Sequence, residues 1–189
     1  MTSSDPLAAA IEQALNALGV DHEADAETLE TPRRVAALWR TWMRPAEASP
    51  ALAPFTLPPG SSGPVVVRDL HFHSFCAHHL LPFFGHATVA FLPDKHLLGF
   101  GAFQRVVDHH AARLQLQERL VQDIAETIDE ALRPRALLVR IQARQLCMEM
   151  GGTSCHSATT CWAPRGAWTQ DDAMLQAITA LGLQDRGGS

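Results

Sequence analysis

An α+β fold, with antiparallel strands and helices packed beside them, is what this sequence predicts, and three observations predict it. Helical and strand-like segments follow one another as α, then β, then α, then β. The strand-like runs Val65–Phe75 and Phe83–Phe91 are joined by a link too short for a crossover, so they pair antiparallel. Leu116, Leu120, Ile124, Ile128 and Leu132 recur at four-residue steps, a helical stripe that has to lie on something apolar.

Taken in order, Leu7 to Leu18 has apolar residues at helical spacing, and Gly19 suits the position just beyond a helix end. Thr31-Pro32 reads as an N-cap followed by a proline at the first helical position, opening a helix from Arg33 to Met43. Val35, Leu38, Trp39 and Trp42 form its stripe. Pro45 to Gly63, rich in Pro, Ala, Ser and Gly, reads as a surface connection. Gly101 to Ala112 and Leu116 to Leu132 read as helices. Leu137 to Met148 returns as a strand, with Val139, Ile141 and Ala143 alternating against Arg140, Gln142 and Arg144. In that register Gln145 and Cys147 share the apolar face. Ser154–Trp162 is expected as a further strand and Asp171–Leu181 as a last helix. The chain thus divides into N-terminal helices with their connection, residues 1–63, and a main domain, residues 64–189.

Composition narrows the function. Of 189 residues, 47% are hydrophobic and 19% charged, the balance of a globular chain with a real core. The net charge of −5 and the lack of any Lys/Arg cluster argue against nucleic acid as partner. No apolar run has membrane length, and the polar start Met1-Thr2-Ser3-Ser4-Asp5 has no secretory core. Four cysteines in such a chain point to a reducing compartment, where thiols serve metals or catalysis; cytoplasm is the expected location.

The chemistry concentrates in Cys76-Ala77-His78-His79, answered far downstream by Cys147. Two borderline ligands three residues apart plus a distant thiolate supply the three protein ligands of a catalytic zinc site, leaving the fourth position for water. On a continuing strand Cys76 and His79 would face opposite ways. They converge only if the chain turns at Ala77-His78. The bland alternative is a buried apolar cysteine beside a surface histidine pair.

Wider blocks then add up. Val66-Val67-Arg68-Asp69, Phe75 to Gly85, Val89 to Pro93, Gly99, Arg105-Val106-Val107, Leu116 to Leu120 and Cys147 followed by Ser157-Ala158-Thr159-Thr160 occur in order. Together they strongly resemble GTP cyclohydrolase I, from about Thr31 to Cys161. The resemblance implies the tunnelling fold: an antiparallel sheet with helices packed on one side, assembled in rings, usually a homodecamer with active sites between subunits. It implies Zn2+ held by Cys76, His79 and Cys147, and attack of zinc-bound water at C8 of guanine. Ring opening, formate release and reclosure then give a dihydropterin. His78 matches the proton-transferring histidine, and Gln117 and Glu118 match the pair that recognises guanine. Arg105 matches a substrate-binding arginine.

Departures from the family pattern are equally specific. Ala77 replaces the usual acid of the first motif, and Gln145 stands where a histidine precedes the third ligand. Gln145 can orient a water or ligand but cannot carry a proton. Gly101-Ala102 replaces Ser-Lys, and Glu149-Met150-Gly151-Gly152 replaces a basic segment, so two cationic phosphate partners are gone. Arg68, Lys95, Arg113, Arg144 and a basic residue from a neighbouring subunit are the candidate substitutes. Three functions follow: a GTP cyclohydrolase I with an eroded phosphate site; a same-fold zinc hydrolase for a phosphate-poor guanine, nucleoside or pterin-like substrate; and a catalytically silent homologue. Intact Cys76, His78, His79, Cys147 and Glu118 argue against the last.

The remaining residues carry less. Cys155 and Cys161 read as buried thiols, with an accessory metal site involving His156 as the alternative. His71 and His73 share one strand face and point to a neighbouring strand or subunit. Trp39, Trp42, Trp162 and Trp168 read as packing residues, and His109-His110 as a solvated or interface pair.

Overall fold

The computed structural model describes residues 5–44, 48–60, 63–151 and 158–166. The chain divides into two compact units, residues 1–45 and 46–189.

The first unit is a helix pair, α1 (Pro6–Ala17) and α2 (Thr31–Trp42). Asp5 caps α1 by accepting from the Leu7 and Ala8 amides at 3.0 and 3.4 Å. Arg40 of α2 grips the same carboxylate and holds it far below the usual carboxylate range. At the other end Gly19 takes φ +75°, with Val20 N–H donating to Leu15 and Gly19 N–H to Asn16, a complete Schellman motif. Ala8, Ile11 and Ala36 form the small core, joined by Val35 and Trp39, whereas Leu38 is 44% exposed. The expected N-cap at Thr31 is corrected: Glu30 is the cap residue. Thr31 N–H is bound to Thr28 O at 2.9 Å, which draws Thr31 into the first helical turn.

The second unit is built on a sheet of order β5-β2-β3-β6-β7. Its strands are β2 (Val65–Cys76), β3 (Pro82–Leu92), β5 (Leu114–Gln115), β6 (Ala136–Gln145) and β7 (Ala158–Gly166). A separate two-residue pairing joins β1 (Phe55–Thr56) to β4 (His96–Leu97), so the expected surface connection contains a strand. β2, β3, β6 and β7 pair antiparallel as predicted, but the edge strand β5 lies parallel to β2, making the sheet mixed. Gly85 is required where β3 meets β6: a Cβ there would sit 1.9 Å from the Gln142 carbonyl oxygen.

Helices α3 (Phe100–Ala111) and α4 (Gln117–Leu132) cover one face of this sheet. Leu120, Ile124, Ile128 and Leu132 are all buried, as the four-residue stripe requires. From β6 the same core takes Leu137, Val139, Ile141 and Ala143. β2 contributes through a bulge. Val67 pairs with Val89 and Leu70 with Ala87, so one extra residue is inserted, and Asp69 sits at φ +59°. Val65 and Val67 pack inward before the bulge, and Leu70, Phe72 and Cys76 after it. The insertion moves the inward phase from odd to even residues and aims Cys76 at the helix-covered side.

The opposite face carries His71 against His86, with ring centroids 4.4 Å apart, and His73 against Phe84 at 5.9 Å. Arg140 lies over Trp162 there. Two expectations need correction. The β6 strand stops at Gln145, not Met148, and the chain goes on into the short helix α5 (Leu146–Met150), across which Arg144 and Glu149 join through two hydrogen bonds of 2.9 and 2.7 Å. His110 is not solvated but buried, its Nε2 2.8 Å from Thr127 Oγ1. Cys155, Trp168 and the expected helix Asp171–Leu181 lie outside the described residues.

Candidate metal and substrate site

β2 ends at Cys76, and the chain turns at once, as the Cys–His convergence demands. Cys76 O accepts from Leu80 N–H at 3.0 Å, Cys76 N–H donates to Leu81 O at 2.9 Å, and Leu80 takes φ +54° to close the turn. The turn is tied to α4's approach by Ala77 N–H donating to Gln115 O at 3.0 Å.

This brings the donors together. Cys76 Sγ lies 3.8 Å from His79 Nδ1 and 3.9 Å from Cys147 Sγ. A tetrahedral zinc, with Zn–S about 2.3 Å and Zn–N about 2.0–2.1 Å, spaces two sulfurs about 3.8 Å apart and sulfur from nitrogen about 3.6 Å. Both observed separations match closely. Burial, and then the neighbouring Cys76 sulfur, push the Cys147 thiol above its ordinary range. A divalent cation held by Cys76 and Cys147 would offset that cost, since coordinated thiols lose their protons. His78 offers a further donor atom within 4.8 Å of those of Cys76 and His79. Both separations from Cys76 fit zinc; the donors at this site that all lie within 4.8 Å of one another are those of Cys76, His78 and His79, with Cys147 joined to them through Cys76.

A cavity of about 190 Å³ adjoins these residues, lined by Cys76, His78, Gln115, Leu116, Gln117, Glu118, Gln145, Cys147, Met148 and Thr159. Glu118 lies in the first turn of α4, a place where the helix dipole favours an acidic residue. Gln117 is buried; its Nε2 donates to the carbonyls of Ile141 and Thr159, and its Oε1 accepts from Gln145 Nε2 and Thr159 Oγ1. Gln115 is clamped too: Nε2 donates to Asp123 Oδ2 at 2.9 Å and Oε1 accepts from Arg119 Nε at 2.6 Å.

A sequence profile of the GTP cyclohydrolase I family matches residues 7–181. A GTP cyclohydrolase 1 of Aquifex aeolicus is 39% identical over 155 residues, covering 81% of this chain and 83% of that protein. The chain belongs to the GTP cyclohydrolase I family. A Sulfurihydrogenibium relative of the same name is 41% identical over 145 residues, 75% of this chain and 76% of its own. One from Nitrosospira multiformis is 43% identical over 126 residues, 65% and 66% of the two chains. Among solved structures, an archaeosine synthase QueF-Like in the apo form aligns at a TM-score of 0.46 with 17% identity, covering 59% of this chain and 100% of that one.

Of the residues expected from the GTP cyclohydrolase I resemblance, the fold gathers Cys76, His78, Gln117, Glu118, Gln145 and Cys147 on the cavity, with His79 against Cys76. Arg105 stands apart, exposed on α3 and absent from the lining. The candidate substitute cations do not reach the cavity either. Arg144 is paired with Glu149, Arg113 with Asp123, and Arg68 and Lys95 are exposed elsewhere. Two contributors escaped the sequence reading. Thr159 bonds Gln117, and Gln115 holds the turn through its carbonyl. Gln115 sits in a two-residue strand, too short to leave a pattern.

Proposed function

We propose that this chain is a zinc-dependent GTP cyclohydrolase I that opens the imidazole ring of guanine at C8, releases formate and yields a dihydropterin. The observation that supports it most is one cavity of about 190 Å³ lined by Cys76, Cys147 and Glu118 together, with His79 against Cys76. Zinc bound by those three residues supplies Lewis acidity and brings the pKa of water near 7. The Glu118 carboxylate accepts from N1–H and the 2-amino group of the base, which fixes its orientation. His78 borders the cavity without being needed as a ligand, and its imidazole is placed to move the proton at the opening ring. Exposed Leu80, Phe100, Leu114 and Met150 supply apolar surface for a ring-shaped homo-oligomer, which we take to be a decamer. A chain relying on reduced thiols is expected to work in the cytoplasm.

One observation favours a second reading, a phosphate-poor substrate. Among the described residues no Lys or Arg lines the cavity, and Glu118 makes its charge negative. Two lost charge-assisted contacts at roughly 1.5–3 kcal/mol each weaken triphosphate binding by about two to four orders of magnitude. The test is formate release from GTP, GMP, guanosine, guanine and reduced pterins at several salt concentrations. Preference for GTP that falls steeply with salt supports the first reading, since exposed charge pairs are screened. Ring opening of guanosine with GTP untouched supports the second. No formate from any compound would overturn both.

A further inference from the structure

Gln117 is 3% exposed, so its amide must find its partners inside the protein. Its Nε2 lies 3.2 Å from the Ile141 carbonyl oxygen and 3.0 Å from that of Thr159, and a carbonyl only accepts. These two contacts fix which end of the amide is nitrogen. Oε1 is therefore the acceptor for the groups on its other side, Thr159 Oγ1 at 2.5 Å and Gln145 at 2.7 Å. A group that faces an acceptor at that distance has to donate, so Gln145 turns its nitrogen toward Gln117. All four hydrogen-bonding positions of Gln117 are then filled by protein. Gln145 keeps one N–H and its whole carbonyl oxygen without a partner among the described residues, and it borders the cavity.

We infer that Gln145 is a specificity-determining residue that reads the substrate's heterocycle with a neutral carbonyl acceptor and one N–H, and that Gln117 is a positioning residue that fixes this orientation. The inference rests on the cyclohydrolase reading and names the chemistry its cavity selects. Glu118 offers acceptors only, whereas Gln145 offers one acceptor and one donor, both uncharged. A ligand satisfied by both presents N–H groups on one edge and a mixed donor–acceptor edge elsewhere. That is the chemistry of a guanine or reduced pterin, and phosphate, which only accepts, gains nothing from the Gln145 carbonyl. Gln117, although it borders the same cavity, has no valence left for the ligand and acts through Gln145.

The test is a double-mutant cycle on the zinc-loaded full chain, with GTP and guanosine as probes and dissociation constants read by calorimetry. Gln145→Met is expected to weaken both probes at least tenfold, and equally, because the contact is to the base. Gln117→Met is expected to cost a similar factor alone and nothing further in the Gln145→Met background. Zinc content should stay unchanged in each variant. If Gln117→Met does not fold, Thr159→Val removes one donor to the same oxygen, and the same non-additivity is expected at smaller size. Multiplicative losses would assign Gln117 its own substrate contact and overturn the inference, as would full affinity in Gln145→Met. Wild-type protein that binds neither probe would overturn the cyclohydrolase reading itself.

Discussion

Ala77 N–H donates to the Gln115 carbonyl at 3.0 Å, so the turn that presents His78 and His79 is clamped to the residue just ahead of α4, the helix that presents Glu118. The turn carrying the proposed metal ligands and the helix proposed to read the base are thus tied by a main-chain hydrogen bond. Cys147 comes from elsewhere, on α5 after β6, and its sulfur lies 3.9 Å from that of Cys76.

Cys147→Ala should therefore lose zinc while keeping its fold, because it removes one of the three proposed ligands from α5 and leaves the main-chain bonds of the Cys76–Leu81 turn in place. Metal analysis of purified protein and thermal unfolding of the apo forms provide the check. Retention of a full equivalent of zinc would move the third ligand to His78, the other donor beside Cys76 and His79.

His78→Ala is expected to slow formate release by about 10²–10⁴ in kcat, as for other positioned proton carriers. Zinc content and the dissociation constant for the base should stay near wild type. Unchanged kcat would remove His78 from proton transfer; loss of zinc would make it a ligand.

The parts of this molecule that a sequence pattern can express were readable, and the parts made by tertiary contacts were not. The α4 stripe Leu120, Ile124, Ile128 and Leu132 is periodic, so its burial could be stated in advance. The turn at Ala77-His78 followed from the need of Cys76 and His79 to converge. The end of β6 did not show, because Gln145 and Cys147 continue the same alternation past the point where the strand stops. There the chain turns into α5, and the Arg144–Glu149 pair across it is a contact with no periodicity. Gln117 could be placed beside the substrate by resemblance, but its saturated amide depends on carbonyls of β6 and β7.

His110 makes stability depend on pH. Burial, with Arg113 beside it, pushes its imidazole down to about 4, while Asp123 pulls the other way and His109 adds to the depression. An unfolded histidine titrates near 6.5. Between those values the unfolded chain binds a proton that the folded chain refuses, so stability is complete above about pH 6.5 and falls as pH drops toward 4. Water around Arg113 screens part of the difference, leaving an expected loss of about 2 kcal/mol. Denaturant midpoints at several pH values would show it. His110→Gln, which keeps a hydrogen-bonding partner for Thr127, should flatten the slope across that window; an undiminished slope would assign it to other groups.

The bulge at Asp69 sets which side of the sheet Cys76 faces. Three consecutive valines, Val65 to Val67, hide the phase of β2, so the sequence gives no sign that the inward positions change from odd to even. The structure makes the change with one inserted residue in the left-handed region, a conformation that Asp tolerates better than a branched residue does. Deleting Asp69 while Phe91 to Val89 stay paired with Val65 to Val67 would turn every later residue of β2 over, sending Cys76 to the open face. The deletion is expected to remove zinc entirely. Asp69→Val keeps the count and should keep zinc, at a stability cost of about 1–2 kcal/mol for a branched residue held at positive φ. Measured together, the two variants separate phase from strain. Zinc retained in the deletion would show that β2 can slide to recover its phase, and the bulge would then not be what aims Cys76.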